Sequence, residues 1–502
     1  MGFLAVLCCI IGFACAVQTW GCPEGPPVGS LPVGSLSDAF SVVDSFVQSS
    51  LHGTFSVGIV YDQQLVHFVS SSSSSASSAF RIGSNSKLFT ALLVQLAHRD
   101  GLLHLDDPVS DLFPAAGLLP NRWSSSPDRS FSWRQLLSHR AGLARDSPCQ
   151  SLWGECNVSL SDVFSIISSW PAVAPTASRP SYSNLGFSLA GQMAASLFRS
   201  DFVSLVQSRI LRPLGMAHSG FSNGTAPPFL VPGTEAGLPV PDFDFGFDNP
   251  AGGMYSSVDD LQKLISLLFR DESPVGGAQL LDGSAIREWL SPVWLGAGVP
   301  LTAYGAPWEM VLSPNLPNSW IRGKRGDVLG YSSQVALVPE LKLGVVVLTA
   351  NGVSTRADLG AWKILEIVAP KLIAVLQAKT PPPPPPSSPS LIGEYDGKDF
   401  LSAAPPFLGK ILFNISLQND DVFFVLQAVL GNATRPTLLG GGLLRLSLPD
   451  SNAETEMYRI VSATSQCSQL TEGDSQFVSR STKDGSLRID GLYFGFLFVK
   501  KT

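Results

Sequence analysis

The stretch "AFRIGSNSKLFTALLVQLAHRDG", residues 79–101, begins as a polar loop and then takes on the periodicity of a helix. Its leucines recur at helical spacing, at Leu88, Leu92, Leu93 and Leu96. Gly101 follows where a helix of ordinary length would end. The stretch therefore predicts a loop that leads into a helix with one apolar face.

Ser84 and Lys87 stand three residues apart at the start of this predicted helix. Helical residues at that spacing share a face, so the lysine amine can reach the serine hydroxyl. The backbone N–H of a serine at a helix start is free and lies at the positive end of the helix dipole, where it favours an oxyanion. The same residues also fit an N-cap serine followed by a solvated lysine. The choice between these interpretations depends on the rest of the chain.

The composition describes a globular protein of more than one domain. The 502 residues exceed what one hydrophobic core usually organises, which predicts two or three domains. Hydrophobic residues make up 45% of the chain and charged ones 15%, unlike a disordered chain. The net charge is −7 and no run of lysine or arginine occurs, so we expect no nucleic-acid partner.

The amino terminus resembles a secretory signal peptide. "MGFLAVLCCIIGFACAVQ" is apolar and ends in the small-x-small pattern Ala14-Cys15-Ala16, which predicts a signal at residues 1–16 and a short segment at 17–36. The run is too short to cross a bilayer, so we expect secretion and no stable membrane span after signal removal. Four sequons favour a glycoprotein; they begin at Asn157, Asn223, Asn414 and Asn432.

Cysteine usage agrees with a secreted protein. Of seven cysteines, four remain after removal of the predicted signal: Cys22, Cys149, Cys156 and Cys467. An even number suits disulfides, and we favour Cys149 with Cys156, which enclose a short loop. That preference leaves Cys22 with Cys467 by elimination, although four cysteines allow three pairings.

A proline-rich stretch, "KTPPPPPPSSPS" at residues 379–390, divides the chain. Six consecutive prolines predict an extended linker. Residues 37–378 mix helical and strand patterns, which predicts an α+β domain. Residues 391–502 show period-two runs between turn residues, which predicts a small antiparallel β domain, most simply a barrel.

Two further motifs follow Ser84 and Lys87 along the chain. "RPSYSNLGFSLAG" contains Tyr182-x-Asn184, and "GKRGDVLGYSS" contains Lys324-Arg325-Gly326. Serine-lysine, tyrosine-x-asparagine and lysine-x-glycine in this order resemble the serine β-lactamase and penicillin-binding-protein superfamily, in particular its class C β-lactamase-like serine hydrolases. The resemblance covers roughly residues 37–375, and the carboxyl-terminal domain resembles a lipocalin-like module.

The resemblance implies a β-lactamase/transpeptidase-like sheet with helices and acyl transfer through a covalent intermediate on Ser84. The base would be a neutral Lys87 or a Tyr182 phenolate, and Lys324 would help to lower either pKa. Asn184 would orient Lys87 or bind a substrate carbonyl.

The backbone N–H groups of Ser84 and of Asp327, which follows Gly326, would form the oxyanion hole. His139 is interpreted as structural. No cofactor is implied. We expect no metal, because the six histidines show no His-x-x-x-His or His-x-His spacing.

Arg325 departs from the family, which has a small hydroxyl residue there that helps to bind an antibiotic's carboxylate. Arginine could hold a substrate carboxylate, or its bulk could narrow the site. We therefore expect a secreted serine hydrolase that acts on a small ester, amide or peptide substrate. The alternatives are a catalytically idle fold that serves in binding, and a true β-lactamase or DD-peptidase.

Overall fold

The computed structural model of the chain describes residues 30–118, 131–149, 156–240, 242–270, 278–296, 302–313, 316, 319–351 and 357–379, with eight further strands between residues 393 and 500. The predicted signal peptide, Cys22, Cys467 and the prolines of the predicted linker lie outside the described residues.

The chain divides into two compact units. One comprises Val28–Leu376, and the other contains Gln377–Thr502. The predicted domain boundaries at residues 378 and 390 stay predictions, since the linker is not among the described residues.

Helices occur throughout the first unit. Their bounds are α1 Ser37–Ser50, α2 Ser86–Arg99, α3 Trp133–Leu137, α4 Leu160–Ile167, α5 Asn184–Leu197, α6 Phe202–Val206, α7 Arg212–Leu214, α8 Asn249–Gly252, α9 Val258–Phe269, α10 Gly283–Trp289 and α11 Ala357–Lys379. Short 3₁₀ turns lie at Gly83–Asn85, Val109–Asp111, Pro114–Leu118 and Pro339–Leu341.

The strands of the first unit are β1 Thr54–Tyr61, β2 Gln64–Ser70, β3 Ala79–Arg81, β4 Gly220–Phe221, β5 Thr234–Glu235, β6 Leu238–Pro239, β7 Met254–Ser257, β8 Trp294–Leu295, β9 Thr302–Tyr304, β10 Glu309–Leu312, β11 Trp320–Val328, β12 Tyr331–Val338 and β13 Leu343–Ala350. Eight of them form an antiparallel sheet in the order β2-β1-β13-β12-β11-β10-β9-β8.

The eight-stranded sheet is covered on both faces. Val345 and Val347 of the central strand β13 pack with α1 and α11, whereas Val346 and Leu348 pack in the cluster that contains α2, α5 and α9. Every residue of β13 is buried. A strand covered on both faces can be apolar at every position, which explains the continuous sequence "LGVVVLTA".

The helix predicted from residues 79–101 is confirmed. Helix α2 spans Ser86–Arg99, and its leucines Leu88, Leu92, Leu93 and Leu96 are at most 1% exposed. Gly101 follows the helix with a φ of +73°, a left-handed conformation that suits glycine. Ser84 lies in the 3₁₀ turn that precedes the helix, so it does not cap α2.

The carboxyl-terminal unit is a closed antiparallel barrel of eight strands in sequence order. These are β14 Gly393–Lys398, β15 Leu408–Gln418, β16 Asp421–Leu430, β17 Thr437–Leu446, β18 Thr455–Ser462, β19 Phe477–Ser481, β20 Leu487–Asp490 and β21 Phe496–Lys500. The predicted fold class, an α+β domain followed by a small β barrel, is confirmed. Among the described helices, we find none with the length and apolar character of a membrane span.

Candidate active site

Ser84 lies where the loop after β3 turns into α2, and buried hydrogen bonds hold that turn. The hydroxyl of Ser86 donates to the Gly83 carbonyl at 2.7 Å and accepts the Met254 N–H at 3.0 Å. Asn85 donates through Nδ2 to Ser333 Oγ at 2.7 Å. These contacts connect the turn to β7 and β12, and so fix Ser84 between the sheet and the helices.

Lys87 is fully buried one helical turn after Ser84. Its Nζ lies 3.0 Å from Ser84 Oγ and 2.7 Å from both Asn184 Oδ1 and the Ala251 carbonyl. Burial is the main cause that lowers the pKa of Lys87; the nearby Lys324 adds to this, and Tyr182 acts in the opposite direction. The predicted approach of amine to hydroxyl is present.

Tyr182 reaches the same serine from the other side. Its hydroxyl donates to Ser84 Oγ at 2.6 Å. Burial alone would raise the pKa of this phenol, but the ammonium groups of Lys324 and Lys87 outweigh burial and lower the pKa to about 8. Ser84 therefore has two titratable partners.

Lys324 lies on β11, fully buried beside the tyrosine ring. Its Nζ lies 5.3 Å from the Tyr182 ring centroid, 2.5 Å from Glu309 Oε1 and 2.9 Å from the Arg325 carbonyl oxygen. Burial would lower the pKa of Lys324, but Glu309 and Tyr182 hold it above its usual value. Lys324 is thus a fixed positive charge next to the phenol.

Asn184 is the first residue of α5 and connects Lys87 to a neighbouring loop. Its Oδ1 accepts from Lys87, while its Nδ2 donates to Asp146 Oδ1 at 2.7 Å. The backbone N–H of Asn184 donates to the Arg145 carbonyl at 2.6 Å. The side chain is positioned from both ends, as the predicted role in orienting Lys87 requires.

The end of β11 presents backbone groups to the serine turn. Strand β10 begins at Glu309, which pairs with Gly323, so the rest of β11 has no β10 partner. The Arg325 N–H points to this open side and donates to Glu309 Oε2 at 3.2 Å. Alternation along a strand directs the Asp327 N–H to the same side.

The serine turn packs against this open side of β11. A Cβ built on Gly83 would lie 2.9 Å from the Asp327 nitrogen. The backbone segments that carry the Ser84 and Asp327 amides therefore meet, as the predicted oxyanion hole requires. The role itself stays a prediction.

Arg325 does not join the cluster around Ser84. Lys324 pairs with Val335, which belongs to the core on the α2 side, and the next side chain along a strand points to the other face. There the Arg325 guanidinium forms ion pairs with Asp327 at 2.5 Å and with Asp358 at 3.7 Å. This placement does not support the predicted contact of Arg325 with a substrate carboxylate, because its charge already faces two carboxylates.

His139 supports the tyrosine. Its ring stacks on that of Tyr182 with centroids 4.4 Å apart, and its Nδ1 accepts the Ser183 N–H at 3.1 Å. Burial, followed by the charges of Lys87 and Lys324, lowers the pKa of His139 well below its usual value. These contacts agree with the structural role expected for a neutral histidine.

The disulfide predicted between Cys149 and Cys156 is present, with Cα atoms 5.3 Å apart. The Phe247 N–H donates to the Cys156 carbonyl at 2.9 Å, and Ser147 Oγ donates to Asp248 at 2.5 Å. The loop before the disulfide is therefore joined to the segment that enters α8, whose Ala251 carbonyl contacts Lys87.

Several contacts of the site were not predicted from the sequence: Glu309, Arg145, Asp146 and the Ala251 carbonyl. Glu309, Arg145 and Asp146 belong to no motif that resembles the family, whereas Ala251 lies in "NPAGGMYSSVDDL", residues 249–261, a stretch that does resemble it. The sequence signal for Glu309 is weak: a carboxylate at the start of a strand 15 residues before Lys324 suggests a pair only if the register of β10 and β11 is known.

Comparison with known proteins shows the family to which the chain belongs. Residues 41–369 match the family model described as Beta-lactamase, so the chain belongs to the beta-lactamase family, whose members are generally serine hydrolases. Beta-lactamase-like protein 2 of Dictyostelium discoideum is 28% identical over 336 residues, which are 62% of this chain and 59% of that protein. Putative beta-lactamase-like 1 of Homo sapiens is 30% identical over 316 residues, which are 60% of each chain. The chain thus matches about three fifths of the length of these relatives.

The fold is similar to that of solved structures. A class C beta lactamase from Rhodobacter sphaeroides superposes with a TM-score of 0.53 at 20% identity, covering 67% of this chain and 99% of that one. The resemblance to the serine β-lactamase and penicillin-binding-protein superfamily is confirmed.

Proposed function

We propose that the chain is a secreted serine hydrolase that forms a covalent acyl-enzyme on Ser84 with a small ester, amide or peptide. The observation that carries this proposal is the pair of contacts to Ser84 Oγ, 2.6 Å from the Tyr182 hydroxyl and 3.0 Å from Lys87 Nζ. A serine that lies between two groups of lowered pKa can lose its proton to one of them as it attacks.

Tyr182 is the base that the geometry favours. Its oxygen is the nearer of the two, and a pKa of about 8 makes a fraction of the phenol ionised at neutral pH. The phenolate accepts the Ser84 proton as Oγ bonds to the substrate carbonyl carbon. The proton then passes to the leaving group as its bond to that carbon breaks. In the second half, water gives a proton to the phenolate as it attacks the acyl carbon, the bond between Oγ and that carbon breaks, and Oγ takes the proton back from Tyr182.

Lys87 and Lys324 act on this base through charge. Lys87 also holds Asn184 and the Ala251 carbonyl, which fixes its amine beside the serine. The amides of Ser84 and Asp327 bind the oxyanion of the tetrahedral intermediate. Secretion rests on the signal-peptide pattern at residues 1–16, and the disulfide supports it, because disulfides persist in oxidising compartments.

The experiment that tests the proposal is intact-mass spectrometry of the secreted protein after incubation with a fluorophosphonate and, separately, with a penicillin. Peptide mapping then locates the adduct. We expect one fluorophosphonate adduct per chain on Ser84, and its loss in Ser84→Ala. A matched control is Ser45→Ala, which removes an exposed hydroxyl from α1 and should label like the wild type.

A penicillin adduct on Ser84 would extend the substrate class to β-lactams and favour a β-lactamase or DD-peptidase. No adduct with either reagent on folded protein would contradict the proposed hydrolase. That outcome would favour the alternative hypothesis, a catalytically idle fold that serves in binding.

A further inference from the structure

The cations around Tyr182 differ in how far their charge is already neutralised. Lys87 contacts three oxygens, and Lys324 pairs with Glu309 and the Arg325 carbonyl. Both lysines are buried. Arg325, on the other face of β11, faces two carboxylates. These three cations have little capacity left for a negatively charged substrate.

Arg145 is different. Its guanidinium carbon lies 5.3 Å from the Tyr182 ring centroid, and its side chain is 70% exposed. It forms an ion pair with Asp146, in which Nε and Oδ2 are 3.7 Å apart, the same separation as in the Arg325–Asp358 pair and too long for a hydrogen bond. Asp146 instead accepts a hydrogen bond from Asn184. Arg145 therefore has N–H donors that face solvent beside the catalytic tyrosine.

The backbone of Arg145 is held while its side chain extends outward. Its carbonyl accepts the N–H groups of Asn184 at 2.6 Å and Leu185 at 3.3 Å. The preceding carbonyl, of Ala144, accepts Ser183 Oγ at 2.6 Å. The loop is thus fixed to the start of α5, which carries Asn184, so the backbone of Arg145 keeps its place beside Tyr182 while its guanidinium stays exposed.

We propose that Arg145 binds an anionic group of the substrate, so that the preferred substrates are esters, amides or peptides with a carboxylate a few bonds from the scissile carbonyl. The inference rests on the proposed acyl transfer at Ser84. An arginine holds a carboxylate through two parallel N–H donors, and the exposure of Arg145 leaves this geometry accessible.

The test compares two esters of the same length, 1-naphthyl valerate and mono-1-naphthyl glutarate, which differ in a terminal methyl against a carboxylate. Their kcat/KM values are measured on the full chain after subtraction of uncatalysed hydrolysis. We expect the wild type to favour the glutarate, and this preference to fall as salt rises, because the arginine is exposed. Arg145→Ala should reduce the preference about tenfold and change valerate turnover little.

Three further variants sharpen the comparison. Arg145→Lys keeps the charge but loses the paired donors, so it should retain part of the preference. Arg145→Glu should lower glutarate turnover below that of Arg145→Ala. Arg212→Ala removes an exposed arginine from α7 with the same change in net charge and should behave like the wild type.

Two outcomes would overturn the inference while acyl transfer at Ser84 stands. One is a wild type that hydrolyses valerate and glutarate equally well. The other is an Arg145→Ala variant that loses activity toward both esters in proportion, which would show that Arg145 acts on Tyr182 or on the loop. Absence of turnover together with absence of fluorophosphonate labelling would overturn the proposed function as well.

Discussion

Gly326 lies directly against the carbonyl of Ile82: a Cβ on Gly326 would be 1.9 Å from that oxygen and 2.9 Å from the Asn85 nitrogen. Ile82 and Asn85 lie on either side of Ser84 in the chain, so the contact sets how closely β11 approaches this serine. The glycine of the lysine-x-glycine motif is thus needed for close packing of two backbones.

Gly326→Ala should separate β11 from the serine turn. We expect a loss of about 1–3 kcal/mol in the free energy of unfolding, as for other overpacked interiors. Fluorophosphonate labelling of Ser84 should slow at least tenfold, because the oxyanion donors move apart. Chemical denaturation and timed labelling measure the two effects.

Gly360→Ala on α11 is the matched control. A Cβ there meets Leu51 at 3.5 Å, an ordinary contact, and alanine is favoured over glycine inside a helix. It should label normally and be no less stable than the wild type. Normal labelling of Gly326→Ala would show that the two backbones can move apart without affecting the serine.

The pH dependence of acylation should report Tyr182. Because the protonated phenol cannot accept a proton, and its pKa is about 8, kcat/KM for a neutral ester should rise as pH increases through about 8. Tyr182→Phe should lower kcat/KM by about 100-fold and abolish the rise of kcat/KM near pH 8. A pH–rate profile between pH 5 and 10 measures both.

The control is Tyr255→Phe on β7, which removes the hydroxyl of a partly buried tyrosine outside the cluster around Ser84. Its pH–rate profile should match that of the wild type. If kcat/KM of the Tyr182→Phe variant still rose through about pH 8, the titration would belong to another group, and Lys87 would be the first to test.

Lys87→Ala should reduce acylation by at least about 100-fold, whether the lysine is the base or positions it. The substitution also leaves Asn184 Oδ1 and the Ala251 carbonyl without their lysine donor in a buried place. A modest fall in thermal stability should accompany the loss of activity. Labelling rates and thermal unfolding measure the two effects.

The control for this prediction is Lys363→Ala, which removes an exposed lysine from α11. It should leave labelling unchanged. If Lys87→Ala turned over an ester at the wild-type rate, the lysine would have no part in the mechanism.

Much of the site could be predicted because its motifs are local. Ser84 and Lys87 are one helical turn apart, and Tyr182 and Asn184 flank the start of α5, so short-range geometry already directs these side chains. The disulfide was predictable for the same reason, since its cysteines are only seven positions apart in the sequence.

Arg325 shows what local reasoning leaves open. Its place in the motif suggested a substrate contact, but the direction of a strand side chain depends on which face of the sheet receives it. Asp358, which pairs with Arg325, comes from α11, 33 residues further along the chain. No pattern around Arg325 contains that information.

By itself, the sequence determined the family, the helix that follows the candidate nucleophile, the α+β class of the first part and the β character of the second, because periodicity and local motifs express those features. Only the tertiary structure decided how the charges are paired: Lys324 with Glu309, Arg325 with Asp327 and Asp358, and the largely exposed Arg145 with Asp146 at a distance too long for a hydrogen bond. The reason is physical. The effective charge of a side chain depends on its burial and on partners from distant parts of the chain, and folding brings those together.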